Sequence, residues 1–335
     1  MSTAVEAPAR PSVLQATPWV AAAWAATFLC LAALALMDRA PHPWTASEAS
    51  ALGSLTPVEV SWSLVVVAAA VLTVAGLGAE ARTPTRARTS GAVLLALGIL
   101  VTVAVSDVRA LAFLGYLPMT LLATVDVGPA AGHLRWDLVT DSAAAVAHAV
   151  GGVAVSVTGA RLLARANAIA GRSTSWRGWA RWGPPAVAIA VVVPLLYAVT
   201  RIAWVLDVPL GIRRETLADL GSARYAGLGL ALFAVLGAWL TTGLLARWGE
   251  RLWPWVPRIG GRPVPVAAAV VPGLLVAGAV ESAGLSFWRM LLAGELSTVP
   301  GVTSDWAAWG PELFWPVWGA ALAVACLAYL GRRTG

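Results

Sequence analysis

Long apolar runs separated by short polar connections recur along the whole chain of 335 residues. Each run holds about 16–23 residues, close to the length that an α-helix needs to cross a hydrocarbon core about 30 Å thick. No connection is long enough for a soluble domain. The pattern therefore predicts one all-α membrane domain over residues 1–335, a polytopic helix bundle of about eight transmembrane helices: 19–37, 58–79, 91–106, 139–160, 184–206, 225–245, 264–284 and 312–330.

A further apolar stretch, residues 110–127, is long enough to span but does not fit this scheme. If it crossed the membrane, the five arginines of residues 161–182 would be exported, against the positive-inside rule. Pro118 also interrupts the stretch. We expect a re-entrant or interfacial segment near the outer surface, covered by other helices because irregular backbone in lipid needs such cover.

The two halves of the chain, 19–165 and 184–333, show the same order of outward and inward helices. The first helix of each half ends in an aspartate close to a proline, in LMDRAP at 36–41 and VLDVP at 205–209. This layout favours a 4+4 parallel pseudo-repeat. Chance similarity within repetitive Ala, Leu and Val text is the alternative interpretation.

Composition narrows the class of protein. The chain is 59% hydrophobic and 12% charged, whereas soluble domains are about 45–50% apolar and about 25% charged. A disordered chain and a disulfide scaffold are excluded, and a soluble enzyme is disfavoured. All 23 basic residues are arginine, so chemistry that needs a lysine amine, such as a Schiff base, is excluded as well.

The charges predict an orientation. Fifteen of the 23 arginines fall on one side of the predicted spans and fourteen of the 17 acids on the other. The arginine side is expected to be cytoplasmic, with both termini there, in a multi-pass protein of the plasma membrane. The arginines form short clusters between apolar runs, which is typical of topology and not of a nucleic-acid-binding face. The expected surroundings are the lipid bilayer, without a nucleic-acid partner.

Three strings resemble multi-pass membrane proteins of high-GC actinobacteria: TRIAWVLDVPLGI (200–212), ARWGERLWPWVPRIGGRPVPV (246–266) and ELFWPVWGAALAVACLAYLGRR (312–333). The resemblance covers mostly the second half. It brings no activity with it and transfers no site residues.

Ionisable groups inside a span are functional candidates because burying them in lipid is costly. Arg201 shares a helix face with Tyr197 and Trp204 and lies deep enough to need an acidic partner, for which Asp207 and Glu281 are the candidates. The trio forms either a buried structural ion pair or an anion-binding or coupling site. A third alternative is that Arg201 snorkels to the surface.

Glu281 follows Pro272 and Gly273 in the seventh span. Proline and glycine allow a kink and free backbone carbonyls, so Glu281 is a candidate gate or proton site, or simply the partner of Arg201. His148 lies about ten residues into the fourth span, where it either bonds a neighbouring helix or forms a proton relay with Asp141.

Tryptophan supplies 18 of the 27 aromatic residues, and most flank the predicted helix ends as an interfacial belt. Trp306 and Trp309 lie beside Asp305 and Glu312. These four residues form either part of that belt or an outer aromatic and acidic wall for a lipid or isoprenoid.

Familiar catalytic and metal-binding motifs are absent from the sequence, and we expect neither a metal site nor a cofactor. Three functions remain open. The first is a secondary transporter or permease-like protein for a small or amphipathic solute, with an outward-facing acidic cavity. The second is a membrane-embedded enzyme acting on a lipid or isoprenoid. The third is a non-catalytic membrane partner subunit. The oligomeric state stays open.

Overall fold

The computed structural model describes residues 16–43, 50–113, 124, 136–172, 176–221, 223–296 and 304–334. It is 78% helix, with no β-strand in those ranges. The protein is an all-α polytopic membrane helix bundle, as the sequence predicts. Its helices are α1 (Thr17–Leu36), α2 (Pro57–Ala79), α3 (Pro84–Leu100), α4 (Trp136–Ile169), α5 (Gly183–Val205), the short α6 (Arg214–Asp219), α7 (Ala223–Thr242), α8 (Val266–Leu292) and α9 (Trp315–Thr334).

Each of the eight predicted spans corresponds to one long helix. Seven segments are long and apolar enough to cross a membrane, and the apolar part of α7, Gly227–Thr242, is shorter. Three helical segments extend well beyond their predicted bounds: α3 begins at Pro84, α4 has 34 residues and α8 continues to Leu292. Of the predicted re-entrant or interfacial segment, all but residues 110–113 and 124 lies outside the described residues.

Successive long helices run in opposite directions, so their ends lie at two faces of the bundle. We call the end with Arg82, Arg247 and Arg332 the arginine-rich face, and the end with Asp38 and Glu312 the acidic face. This separation of charge is the one that the sequence predicts.

The first half is built around close packing of α3 on α4. Gly91 and Gly98 of α3 face Gly159 and Gly152 of α4, and a Cβ on Gly98 would lie 2.6 Å from the Gly152 carbonyl oxygen. Small residues let membrane helices approach closely, and lipid offers no hydrophobic drive that would replace such packing. Helix α1 packs on α2 and α4, and α2 also packs on α3.

The second half repeats the main helix contacts of the first with one exception. Helix α5 packs on α7 and α9, and α8 packs on α9. Its core includes Tyr197, Trp315, Trp318, Cys326 and Tyr329. Within the described ranges, α7 and α8 make no extended contact, although their counterparts α2 and α3 do.

The first helices of the two halves end in the same way. Asp38 and Asp207 both adopt a left-handed backbone, with φ of 57° and 61°. In each case the amide after the aspartate bonds a carbonyl five residues back, Arg39 to Leu34 and Val208 to Ala203. This is the Schellman arrangement that terminates helices. The shared cap and shared neighbours are what a 4+4 repeat implies, and the duplication itself stays a prediction.

The halves meet where α8 crosses the end of α3. Here residues Val101–Val105 form a π-helical turn, followed by a break at Ser106. The Ser282 hydroxyl donates to the Ser106 carbonyl at 2.6 Å, and the Ser106 hydroxyl donates to the Ala145 carbonyl at 3.1 Å. The contact between the halves is therefore made of small residues and hydrogen bonds.

Candidate functional site

Arg201 lies between two aromatic rings, near the end of α5 that reaches the acidic face of the bundle. Its guanidinium carbon is 4.4 Å from the Tyr197 ring centre and 4.2 Å from that of Trp204. All three side chains are buried. The structure thus brings together the three residues whose spacing places them on one helix face, and the aromatic faces favour the cation between them.

The acidic partner of Arg201 is Glu312, and neither Asp207 nor Glu281 takes that place. Arg201 Nη2 lies 2.6 Å from Glu312 Oε1, and Nη1 donates to the Ala307 carbonyl at 2.7 Å. Asp207 is mostly exposed and pairs with Arg224 at 3.3 Å. Because protein groups occupy both terminal nitrogens, Arg201 ties α5 to the segment before α9.

A second ion pair holds the same segment from the other side. Asp305 is buried and lies 2.9 Å from Arg213 Nη2, and it also accepts bonds from the Arg213 amide at 2.7 Å and the Thr216 hydroxyl at 2.9 Å. These bonds, that from the Arg213 side chain above all, lower the pKa of Asp305 to about 2 against the opposing effect of burial. The same pairing raises the pKa of Arg213.

The predicted outer wall is thus arranged differently from an open acidic surface. Asp305 and Glu312 both point to arginines. Trp306 is half-exposed, and Gly211, at φ 70°, leaves room for its ring, because a Cβ there would lie 2.8 Å from the indole. Trp309 is half-buried. Together the segment forms a cap over the acidic end of α5.

Glu281 lies between α8 and α9, against Gly319. A Cβ on Gly319 would be 2.5 Å from Glu281 Oε2, so only glycine admits the carboxyl here. This oxygen is buried and has no hydrogen-bond partner among the described residues. The described carboxylates Asp107, Asp305 and Glu312 each have an arginine partner, so Glu281 stands apart from them.

Three further buried polar atoms, on α9 and the turn just before it, also have no partner in the described part of the chain: Glu312 Oε2, Trp315 Nε1 and Trp318 Nε1. They recur at intervals of three residues, about one helical turn. Buried polar groups in proteins are usually hydrogen-bonded, and leaving one unpaired in hydrocarbon costs free energy. With Glu281 Oε2, they mark a row of unsatisfied groups between the acidic face and the membrane interior.

His148 belongs to a separate cluster in the first half. It is fully buried, accepts a bond at Nδ1 from Trp24 Nε1 at 3.3 Å, and packs on Phe28 with ring centres 4.2 Å apart. The indole N–H can donate only, so Nδ1 carries no proton in this arrangement. The predicted relay partner, the side chain of Asp141, lies outside the described part of the structure.

A lateral cleft opens where α7 and α8 fail to meet. Its volume is about 350 Å³, and α9 supplies the floor with Trp318 and Leu322. Gly237 and Leu240 of α7 form one wall and Val276 of α8 the other, while Trp248 and Trp253 close the arginine-rich end. The lining is almost wholly apolar. Such a cleft suits a hydrocarbon chain entering sideways from the bilayer.

No protein-family model, curated protein or solved structure matches the chain.

Sequence reasoning missed the cleft. Its lining consists of ordinary apolar residues that would pack against each other if α7 and α8 met. One weak signal was available, since α7 contains Gly227, Gly229 and Gly237, and glycines on a lipid-facing helix leave space. Among the described residues, no group of three His, Cys, Asp or Glu side chains is placed to hold a metal.

Proposed function

We propose that this integral membrane protein is a permease-like carrier for an amphipathic, lipid-like solute. The apolar part of the solute occupies the cleft between α7 and α8, and its polar part moves along α9. The observation that carries the proposal is the continuity of two features at Trp318: this residue lines the apolar cleft and belongs to the row of unsatisfied polar atoms.

The two features together suit an amphipathic molecule better than a small polar one. A polar solute would need a hydrated cavity, whereas the cleft is lined by carbon. A purely apolar molecule would leave Trp315 Nε1, Trp318 Nε1 and Glu312 Oε2 unsatisfied. A molecule with both a chain and a polar end satisfies both regions at once.

Glu281 gives this carrier a proton site. Its unpartnered oxygen lies against Gly319, next to Trp318, on a helix with Pro272 and Gly273 somewhat more than two turns before it. A carboxyl in hydrocarbon binds a proton readily, since the charged form is poorly solvated. Protonation and release at Glu281 are therefore suited to couple solute movement to a proton gradient.

The test uses liposomes that contain the purified protein and a phospholipid labelled with nitrobenzoxadiazole, whose transfer between leaflets is followed by dithionite bleaching. Wild-type protein should accelerate transfer above protein-free liposomes, and an imposed proton gradient should change the rate. Gly237→Trp should slow transfer at least tenfold because the indole fills the cleft. The matched control is Gly229→Trp, on the same helix outside the cleft; a Cβ meets nothing within 4 Å at either position.

Transfer that equals the protein-free rate, or that is the same in Gly237→Trp and Gly229→Trp, would reject the carrier. Glu281→Gln separates the coupling from the pathway, because it should remove the response to the gradient and leave the cleft intact.

A lipid-modifying enzyme is the second candidate, since the free Glu281 oxygen could also act as a general acid. Mass spectrometry of the same liposomes would then show a chemically altered lipid.

A further inference from the structure

The arginine-rich end of the cleft is closed by a turn in which one antiparallel β-bridge joins Arg251 to Pro263. Leu252 N–H donates to the Arg262 carbonyl and Val264 N–H donates to the Glu250 carbonyl, each at 2.9 Å. Residues directly opposite in such a pair project to the same side. Leu252 and Val264 line the cleft, so Arg262, opposite Leu252, rises from the cleft side of the turn.

This turn carries positive charge that the described acids do not neutralise. Four arginines in and beside the turn are exposed and form no ion pair with any described acid: Arg247, Arg251, Arg258 and Arg262. Glu250, the acid in this stretch, lies 3.7 Å from Arg332 instead. Arg332 donates to the carbonyls of Leu244 and Leu245 at the cleft wall, and its Nε is buried with no partner in the described ranges.

Stacked tryptophans indicate the depth of the turn in the bilayer. Trp239, Trp248 and Trp253 stack with ring centres 4.9–5.7 Å apart, and Trp253 also stacks on Trp255 at 5.6 Å. Trp255 is 74% exposed. Tryptophan concentrates at the headgroup level of a membrane. The unpaired arginines are therefore placed where lipid phosphates lie.

We infer that the mouth of the cleft binds the headgroup of an anionic phospholipid, with Arg262 as the principal contact and Arg247 beside it. The inference rests on the proposed function, because it assigns a lipid chain to the cleft. Guanidinium groups match phosphate oxygens with paired hydrogen bonds. Basic pockets at the cytoplasmic side of membrane proteins recognise anionic headgroups by the same chemistry.

The experiment measures lipid retention by native mass spectrometry. Purified full-length protein is incubated in detergent with equal amounts of phosphatidylglycerol and phosphatidylcholine bearing the same chains. Wild-type protein should retain more phosphatidylglycerol. Arg262→Gln should lower that preference by about fivefold, the factor that one arginine near an anionic headgroup contributes. Arg86→Gln, an exposed arginine at the same face on α3, is the matched control and should leave the preference unchanged.

Gly237→Trp separates the two hypotheses. If it displaces both lipids but wild-type protein shows no preference between them, the headgroup site is wrong and the cleft stands. If Arg86→Gln lowers the preference as much as Arg262→Gln does, general surface charge accounts for binding and the headgroup site is again wrong. If Gly237→Trp displaces neither lipid, the cleft as a lipid site is itself rejected.

Discussion

Arg201 shows how one charged side chain is accommodated in a membrane interior. Two aromatic faces, one carboxylate and two backbone carbonyls surround its guanidinium. With every terminal nitrogen engaged, the charge serves to join α5 to the capping segment at the acidic face. A buried ion pair of this kind depends on both partners, because either one alone is an uncompensated charge.

We predict that Arg201→Leu lowers the free energy of unfolding by about 3–5 kcal/mol, because it leaves Glu312 buried and unpaired. The double variant Arg201→Leu/Glu312→Leu should recover much of the loss. Unfolding in mixed detergent micelles measures both. Asp207→Asn is the control, since this exposed pair should contribute less than about 1 kcal/mol and asparagine tolerates the left-handed backbone at this position. Equal losses in the single and double variants would contradict the prediction.

Asp305 gives a prediction about pH. Its pKa is lowered from 3.8 to about 2 in the folded protein. Its bonds therefore add stability that is present above about pH 4 and is lost as the pH falls through about 2. Hydrogen exchange of the Arg213 amide, corrected for the intrinsic rate, should stay constant from pH 7 to 5 and accelerate below about pH 3. Asp305→Asn should show the faster exchange already at pH 7.

The composition of the Arg201 site is predictable, but its pairing is not. Helical spacing alone places Tyr197, Arg201 and Trp204 on one face of α5, and this spacing can be read directly from the sequence. Glu312 is 111 residues away, and several other acids lie at the same membrane level. Choosing among them requires knowing that α9 and not α8 lies beside α5 at this depth, which is a property of the assembled bundle.

At the scale of elements, the contact between α3 and α4 depends on glycine. The glycines are seven residues apart on each helix, 91 and 98 on α3 and 152 and 159 on α4, so they return to the same face every two turns. Backbones consequently touch at two levels.

We predict that Gly152→Val lowers the unfolding free energy by about 1–3 kcal/mol or more, because the new side chain would displace α3. Its Cβ would lie 2.6 Å from the Thr102 amide nitrogen and 2.8 Å from the Gly98 carbonyl oxygen. Gly76→Val on α2 is the matched control, since a Cβ there meets nothing within 4 Å. Thermal unfolding in detergent compares the two variants, and equal midpoints would show that the α3–α4 contact adapts to the larger residue.

The sequence is enough to predict that the eight long helices form, but not where each helix ends or where its geometry becomes irregular. Apolar length alone identifies all eight long helices, because lipid requires every backbone group to bond within its own helix. The ends were less certain: α4 begins near Trp136 and α8 ends at Leu292, since helices continue through the polar interface. The π-helical turn at Val101–Val105 depends on packing and has no sequence pattern.

At the scale of the whole molecule, one difference between two similar halves produces the cleft. Helices α2 and α3 close the first half, while the equivalent α7 and α8 leave a gap above α9. The gap could not be predicted, because lipid-facing and cavity-facing positions are equally apolar. The separation of charge between the two faces was easier to predict, since charged residues are costly to move across lipid, and which face is cytoplasmic stays a prediction.

Orientation gives a prediction for the intact cell. The native free cysteines, Cys30 and Cys326, are first replaced by alanine. Asp219→Cys, exposed on the acidic face, should then react with a membrane-impermeant maleimide in intact cells. Arg86→Cys should react only after permeabilisation, because the arginine-rich face is expected in the cytoplasm. The reverse pattern would invert the predicted topology.

The stacked tryptophans have an optical consequence. Trp239, Trp248 and Trp253 are nearly parallel, with ring planes 14–22° apart, and indoles at this separation share their excited states. Circular dichroism should therefore show a split exciton band that isolated tryptophans lack. Because Trp248 and Trp253 also line the cleft, a molecule entering it would tilt the rings and change the band. The protein thus contains its own spectroscopic reporter of occupancy, readable without any attached dye.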